Sequence, residues 1–360
     1  MDFKELASVI EMNSYTWNKA GVDRYGRVFS QWMEALGYTT HRHERESIGD
    51  HLHFTTEKKD GQKILLLGHL DTVFPENTFE AYGEDEEWIY GPGVCDMKGG
   101  NHVALEALRA IHAERGSLHN IDMLLVSDEE KGSDDSKYLT TELAADYDVC
   151  LVFEAAGKDH EVVIARKGVG TITLDFEGKA AHAGNHYADG CNANLAAAKM
   201  LLALTELTDL EKGTTVNAGK MSGGIGANTI SPKAQLVVEF RFTGAGERDR
   251  VMSAIDRLVS TPTVEDVTVS MSGGLQRDVM TPSDDQQALL HKIEGILGYA
   301  MPVEKRGGVS DANTISAGGV ATLDGFGPFG DGDHTIHERA SKASFVRRIE
   351  EVTKILTVLT

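Results

Sequence analysis

Residues 63–73 read KILLLGHLDTV, and the reading of this stretch decides the fold. Ile64, Leu65, Leu66 and Leu67 form an unbroken apolar run, too short for a helix and without alternation. A run of that kind is expected of a strand covered on both faces. Gly68, His69 and Asp71 follow directly, so the run ends in side chains able to do chemistry. Two further runs, 121–126 and 149–153, have the same character. The first ends in Asp128, Glu129 and Glu130, the second in Glu154. Helices predicted over 99–115 and 133–145 separate the runs. Strands alternating with helices give an α/β fold, a mostly parallel sheet with helices on both faces. In such sheets the ligand crevice lies at the carboxyl ends of the strands, which gathers one histidine and several carboxylates at one edge. A helix is predicted over the first 35 residues and another over 341–359, where Phe345, Ile349, Val352 and Leu356 recur at helical spacing.

From residue 167 the pattern changes. Residues 171–178 (TITLDFEG) alternate as a half-buried strand, and 192–204 form an alanine-rich helix. Alternating runs at 214–221 and 234–242, a helix over 247–260 and a strand over 264–272 complete the order β-α-β-β-α-β, the ferredoxin-like arrangement. At 360 residues the chain is long enough for two cores. The expected division is a catalytic domain of 1–166 and 282–360 interrupted by an inserted domain of 167–281.

Composition narrows the function. A formal net charge of −21 repels nucleic acid and anionic membrane, so neither is an expected partner. No apolar run reaches membrane-spanning length. The acidic, amphipathic start lacks the features of a signal peptide. Cys95, Cys150 and Cys191 are odd in number and widely spaced, which fits free thiols in a reducing compartment and a cytoplasmic location.

Two glycine-rich loops add to the strand ends. GPGVCDMKGG (91–100) delivers Asp96 just before a helix, and GDHTIHE (332–338) supplies His334 and His337. So many carboxylates in one crevice repel one another unless cations are present. The glycines at 223, 224 and 226 suggest a nucleotide loop, but no helix signal follows, and that reading is rejected.

Together with SDEEKGS (127–133), FEAA (153–156), GKAAHAG (178–184), GGIGANTISP (223–232) and GGVSDA (307–312), these segments resemble, in order and over almost the whole chain, one metallopeptidase family. It comprises glutamate carboxypeptidases, aminoacylases and succinyl-diaminopimelate desuccinylases, and the glutamate carboxypeptidase branch is the most similar. The resemblance implies two divalent ions, zinc above all, with cobalt or manganese as alternatives. It implies His69 and Glu154 on one ion, Glu130 and His334 on the other, and Asp96 bridging both. A shared water then completes four ligands around each ion, the number zinc prefers. Asp71 is implied as the carboxylate that orients His69, and Glu129 as the general base acting on a water whose pKa falls toward about 7 between the ions. Glu338, four residues beyond His334, decides for His334 over His337. In the inserted domain, His182 is similar to a histidine that steadies an oxyanion, Asn228 to a substrate contact, and Arg241 to a clamp on a substrate carboxylate. Residue-level reading offers Arg241 a plainer part in a cross-strand salt bridge. A cis peptide at Asp96–Met97 and a homodimer joined through the inserted domain are also implied. Ser310 or Asp311 is expected to cap a helix.

The expected activity is hydrolysis of an amide in a small peptide or N-acyl amino acid bearing a free carboxylate. The alternatives are an aminopeptidase or dipeptidase on the same scaffold, a metal-binding protein without turnover, and a two-metal phosphoesterase, which the motif set disfavours.

Overall fold

The computed structural model describes residues 2–261 and 263–360, and the chain divides into two compact units, Met1–Ala165 with Pro282–Thr360, and Arg166–Thr281. Each has its own apolar core.

The first unit is built on a six-stranded sheet in the order Thr39–His43, His51–Thr55, Ile121–Val126, Ile64–His69, Val149–Val152, Ala321–Leu323. The last four strands run parallel, and the first two are antiparallel additions at one edge. Ile64, Leu65, Leu66 and Leu67 are all fully buried, as their continuous apolar character requires of a strand covered on both faces. Burial of each such side chain contributes about 1.5–3 kcal/mol before entropy is counted. Helix Lys98–Arg115 packs on helix Lys342–Leu359, which also meets helix Asp284–Leu297. Two glycines let the first of these helices approach the strands. A Cβ on Gly100 would stand 1.9 Å from the Phe153 carbonyl oxygen, and one on Gly68 would stand 2.2 Å from Asn101 Oδ1.

The helix expected over the first 35 residues is two helices, Lys4–Ile10 and Lys19–Ala35. Asn18 starts the second by accepting the Gly21 N–H at 3.1 Å. The intervening segment runs beside Thr72, with Thr72 N–H bound to the Ser14 carbonyl at 2.9 Å. These tertiary bonds outweigh the helical propensity of the sequence. Ser310, rather than Asp311, caps helix Asp311–Ala317 in a capping box with Asn313.

The second unit has the order strand Gly168–Glu177, helix Ala193–Thr205, strands Thr215–Gly223 and Lys233–Phe242, helix Ala245–Ser260 and strand Thr268–Arg277. Its sheet is antiparallel, with Thr215–Gly223 at one edge and Thr268–Arg277 at the other. Leu236, Val238, Phe240 and Phe242 form the covered face. The last strand starts and ends later than the expected 264–272, and within it Gly273 (φ 83°) takes a conformation that favours glycine, beside the Thr171 carbonyl. Among the described residues, no helix is long and apolar enough to cross a membrane.

Candidate metal centre

Three parallel strands bring their carboxyl ends to one edge, and the first unit's candidate residues follow them. His69 ends Ile64–His69 and Glu154 lies two residues beyond Val149–Val152. Glu129 and Glu130 form a 3-10 turn, Glu129–Lys131, just after Ile121–Val126. Asp96 precedes helix Lys98–Arg115 across a cis peptide to Met97. His334 comes from the loop after Gly330–Asp331, where its φ is 61°.

These side chains meet in two groups that share one residue. His69, Asp96 and Glu154 can each offer a ligand atom within 4.8 Å of the others, and so can Asp96, Glu130 and His334. The Asp96 carboxylate divides between them. Its Oδ1 is 3.0 Å from His69 Nε2, and its Oδ2 is 3.2 Å from His334 Nε2. Glu154 Oε1 lies 3.8 Å from the same His69 nitrogen, and Glu130 Oε2 lies 3.2 Å from the His334 nitrogen. His337 is in neither group.

The electrostatics are those of a site short of positive charge. Burial, then the neighbouring Asp96 charge, pushes the Glu154 carboxyl well above its usual range. The same two causes push Glu130 up to about 8. In each case the charge of Glu129 adds to the rise. Burial also opposes ionisation of Asp96, but hydrogen bonds from His334 and His69 outweigh it and hold its carboxyl well below normal. Burial alone would lower His69, yet its contacts with Asp71, Asp96 and Glu154 raise it well above the ordinary imidazole range. Hydrogen bonds to Asp96 and Glu130 raise His334 to about 11. The neighbouring carboxylates thus favour the charged form of both imidazoles.

Asp71 is wholly buried and braces both groups. His69 Nδ1 is 3.0 Å from the Asp71 carbonyl oxygen and 3.4 Å from its carboxylate Oδ1. The other carboxylate oxygen accepts Thr16 Oγ1–H at 2.7 Å and the Glu130 N–H at 3.2 Å. Asn101 donates to the His69 carbonyl at 2.7 Å, and Met97 Sδ accepts the His69 N–H at 3.2 Å. Thr16 and Asn101 are supporting residues that the motifs did not single out. Thr16 gives no local signal at all, whereas Asn101 extends the GPGVCDMKGG segment by one residue.

The second unit's candidates are more loosely held. His182 and Asn228 are exposed, and their strands of chain are joined by an Ala183 N–H to Asn228 carbonyl bond of 2.9 Å. His182 Nδ1 accepts the N–H groups of Gly184 and Asn185, both at 3.2 Å. A backbone N–H can only donate, so this imidazole carries its proton on Nε2. Arg241 lies on the wetter face of its strand and grips Glu239, two residues away, with Nε at 2.8 Å and Nη2 at 3.2 Å. This ion pair lies along one strand.

Residues 65–358 match the profile of Peptidase family M20/M25/M40. The chain is 26% identical over 343 residues to carboxypeptidase G2 of Pseudomonas sp. (strain RS-16), covering 92% of this chain and 82% of the relative. It is 28% identical over 320 residues to the succinyl-diaminopimelate desuccinylase of Gluconacetobacter diazotrophicus, covering 80% and 79%. Its fold is shared with a crystallised tripeptidase of Staphylococcus aureus, with a TM-score of 0.83, 23% identity, and coverage of 98% and 96%.

Proposed function

The chain belongs to Peptidase family M20/M25/M40, a metallohydrolase of peptides or N-acyl amino acids, and within that class we propose a two-ion amidase for substrates with a free carboxylate. One observation carries the proposal: the two Asp96 oxygens face two different histidines, each with its own carboxylate. The donor set, one imidazole and one terminal carboxylate on either side of a shared carboxylate, is the chemistry that zinc selects. A buried Glu130 Oε1 without a hydrogen-bond partner fits the same assignment, since such an atom is costly unless something ligates it. His69 and Glu154 would hold one ion, Glu130 and His334 the other, and Asp96 both. Bound there, the ions would supply Lewis acidity toward an amide carbonyl and a water nucleophile.

The remaining steps belong to the chain's own side chains. Asp71 keeps His69 turned so that Nε2 faces the centre. Glu129 takes a proton from the attacking water and returns it to the leaving nitrogen. His182, with its proton on Nε2, donates to the carbonyl oxygen as negative charge develops there. Asn228 contacts the substrate, and Arg241 receives its free carboxylate.

In the same proposal the protein is a homodimer joined through the second unit. The edge strand Thr215–Gly223 and the exposed Leu202 (65%) and Met221 (47%) offer it a surface. Three free cysteines suit a reducing, cytoplasmic setting.

The test is an assay of the zinc- or cobalt-loaded protein against acyl-glutamates, other N-acyl amino acids, and di- and tripeptides. Turnover is expected for substrates ending in a carboxylate and lost when that carboxylate is amidated. Indifference to amidation refutes the carboxylate preference, and silence toward every amide refutes catalysis.

A further inference from the structure

Glu338 belongs to neither side-chain group, yet it is 1% exposed and heavily bonded. Its Oε2 accepts the Gly93 N–H at 3.0 Å, and its Oε1 accepts those of Cys95 at 2.9 Å and Asp96 at 3.0 Å. Its own carbonyl accepts a fourth, from Gly91, at 3.3 Å. One residue of the His334 loop therefore holds the entire turn that delivers Asp96. A buried carboxylate is costly unless it is satisfied, and charge-assisted bonds to N–H groups are among the stronger ones available. Those bonds fix two loops that lie far apart in the sequence.

We infer that Glu338 is a positioning residue that sets the spacing of Asp96 and His334, and so makes one half of the centre competent. The two halves differ in what stands behind them. His69 (1% exposed) and Glu154 (9%) follow buried strands. The His334 side chain is 56% exposed on a loop, and Glu338 anchors that loop to the Asp96 turn. Removing the Glu338 carboxylate therefore loosens the shared Asp96 turn and the His334 loop together, so the Asp96–Glu130–His334 half loses the hold on two ligands, while the other half keeps His69 and Glu154 on their strand ends. The inference rests on the two-ion reading above.

The test is calorimetric zinc titration of the metal-free full chain, with bound metal counted by mass spectrometry after dialysis and the unfolding midpoint recorded alongside. Wild type is expected to take up two ions. Glu338→Gln should bind one ion about 10–100-fold more weakly, the usual cost of losing a group that orients ligands, and the other with a smaller loss passed on through the shared Asp96. The more weakened ion should be the one lost in His334→Ala. A purely structural role predicts a lower unfolding midpoint without any distinction between the ions. Equal weakening of both ions, or of neither, overturns the inference. If the Gln variant does not fold, Glu338→Asp, which keeps the charge but draws the oxygens out of reach, carries the same expectation. A wild-type protein that takes up fewer than two ions overturns the two-ion reading itself, an outcome distinct from two ions held equally in the variant.

Discussion

The first unit's crevice and the second unit's candidate residues differ in how tightly the chain holds them. At the crevice, Asp71 is bound by a helix-linking segment, a strand end and a 3-10 turn at once. His69 is held at its main-chain N–H, its carbonyl and both ring nitrogens. In the second unit, His182 and Asn228 are exposed on loops, and Arg241 rests on a neighbour two residues away. Under the proposed function, the contrast separates a chemistry that tolerates little movement from a recognition surface free to adapt. Groups that bind cations or move protons work only within tight limits of distance, whereas contacts to a substrate's periphery can shift.

The most severe test of that contrast is Asp96→Ala. Both side-chain groups depend on this carboxylate, so the variant should lose both ions and fall to background activity. Metal counting and the amidase assay check it together, and retention of two ions would show that the halves do not share a ligand. Next in size is Glu129→Gln, which removes a proton carrier and leaves the proposed ligands in place. It should lower kcat by about 10²–10⁴-fold with KM and zinc content unchanged. Loss of zinc in this variant would move Glu129 from proton transfer to metal binding.

A pH series probes the crevice more gently. In the metal-free protein His334 is raised to about 11 by its bonds to Asp96 and Glu130, and Glu130 is pushed up to about 8 by burial and the Asp96 charge. A histidine with a raised pKa stabilises the fold below its unfolded value near 6.5, and that contribution fades as pH climbs through about 11. Glu130, raised from 4.5 to about 8, likewise makes the metal-free fold less stable as pH rises between those values. Cations must displace the same protons, so zinc affinity should increase with pH by about tenfold per unit for each proton released. The gain in unfolding midpoint on adding zinc should therefore widen from pH 6 to pH 8. A gain that stays flat or shrinks contradicts the assignment of these protons to the centre.

Legibility in the sequence follows the same division. The parallel strands could be read because a short apolar run buried on both faces has no other economical explanation, and each run ends in the residue that matters. The β-α-β-β-α-β order could be read because alternation is unbroken in Leu236, Val238, Phe240 and Phe242. Tertiary bonds were hidden. The segment carrying Thr16 looked helical, since nothing local announces that its hydroxyl is needed by Asp71. Glu338 served only as a spacing marker, because its partners are backbone N–H groups, which have no sequence signature. The Arg241–Glu239 pair was within reach of the alternation argument, which already set residues two apart on one face.

That pair gives the smallest expected effect and the sharpest view of the adaptable region. Glu239 now occupies the fork that a substrate carboxylate would use, with both partners partly exposed, at 30% for Arg241 and 44% for Glu239. An exposed ion pair is worth only about 0.2–1 kcal/mol, so a well-placed substrate carboxylate can displace it. Arg241→Ala should then raise KM by about tenfold for carboxylate substrates, since one charge-assisted contact is worth about 1.5 kcal/mol or somewhat more. It should leave kcat and zinc content alone. Glu239→Gln should act in the opposite direction, lowering KM by a factor of about two to five by removing the competing anion. Amidated substrates, which offer no carboxylate, should respond to neither change. If both variants shift KM equally for acids and amides, Arg241 acts by holding its strand, and carboxylate recognition has to be sought elsewhere on the second unit.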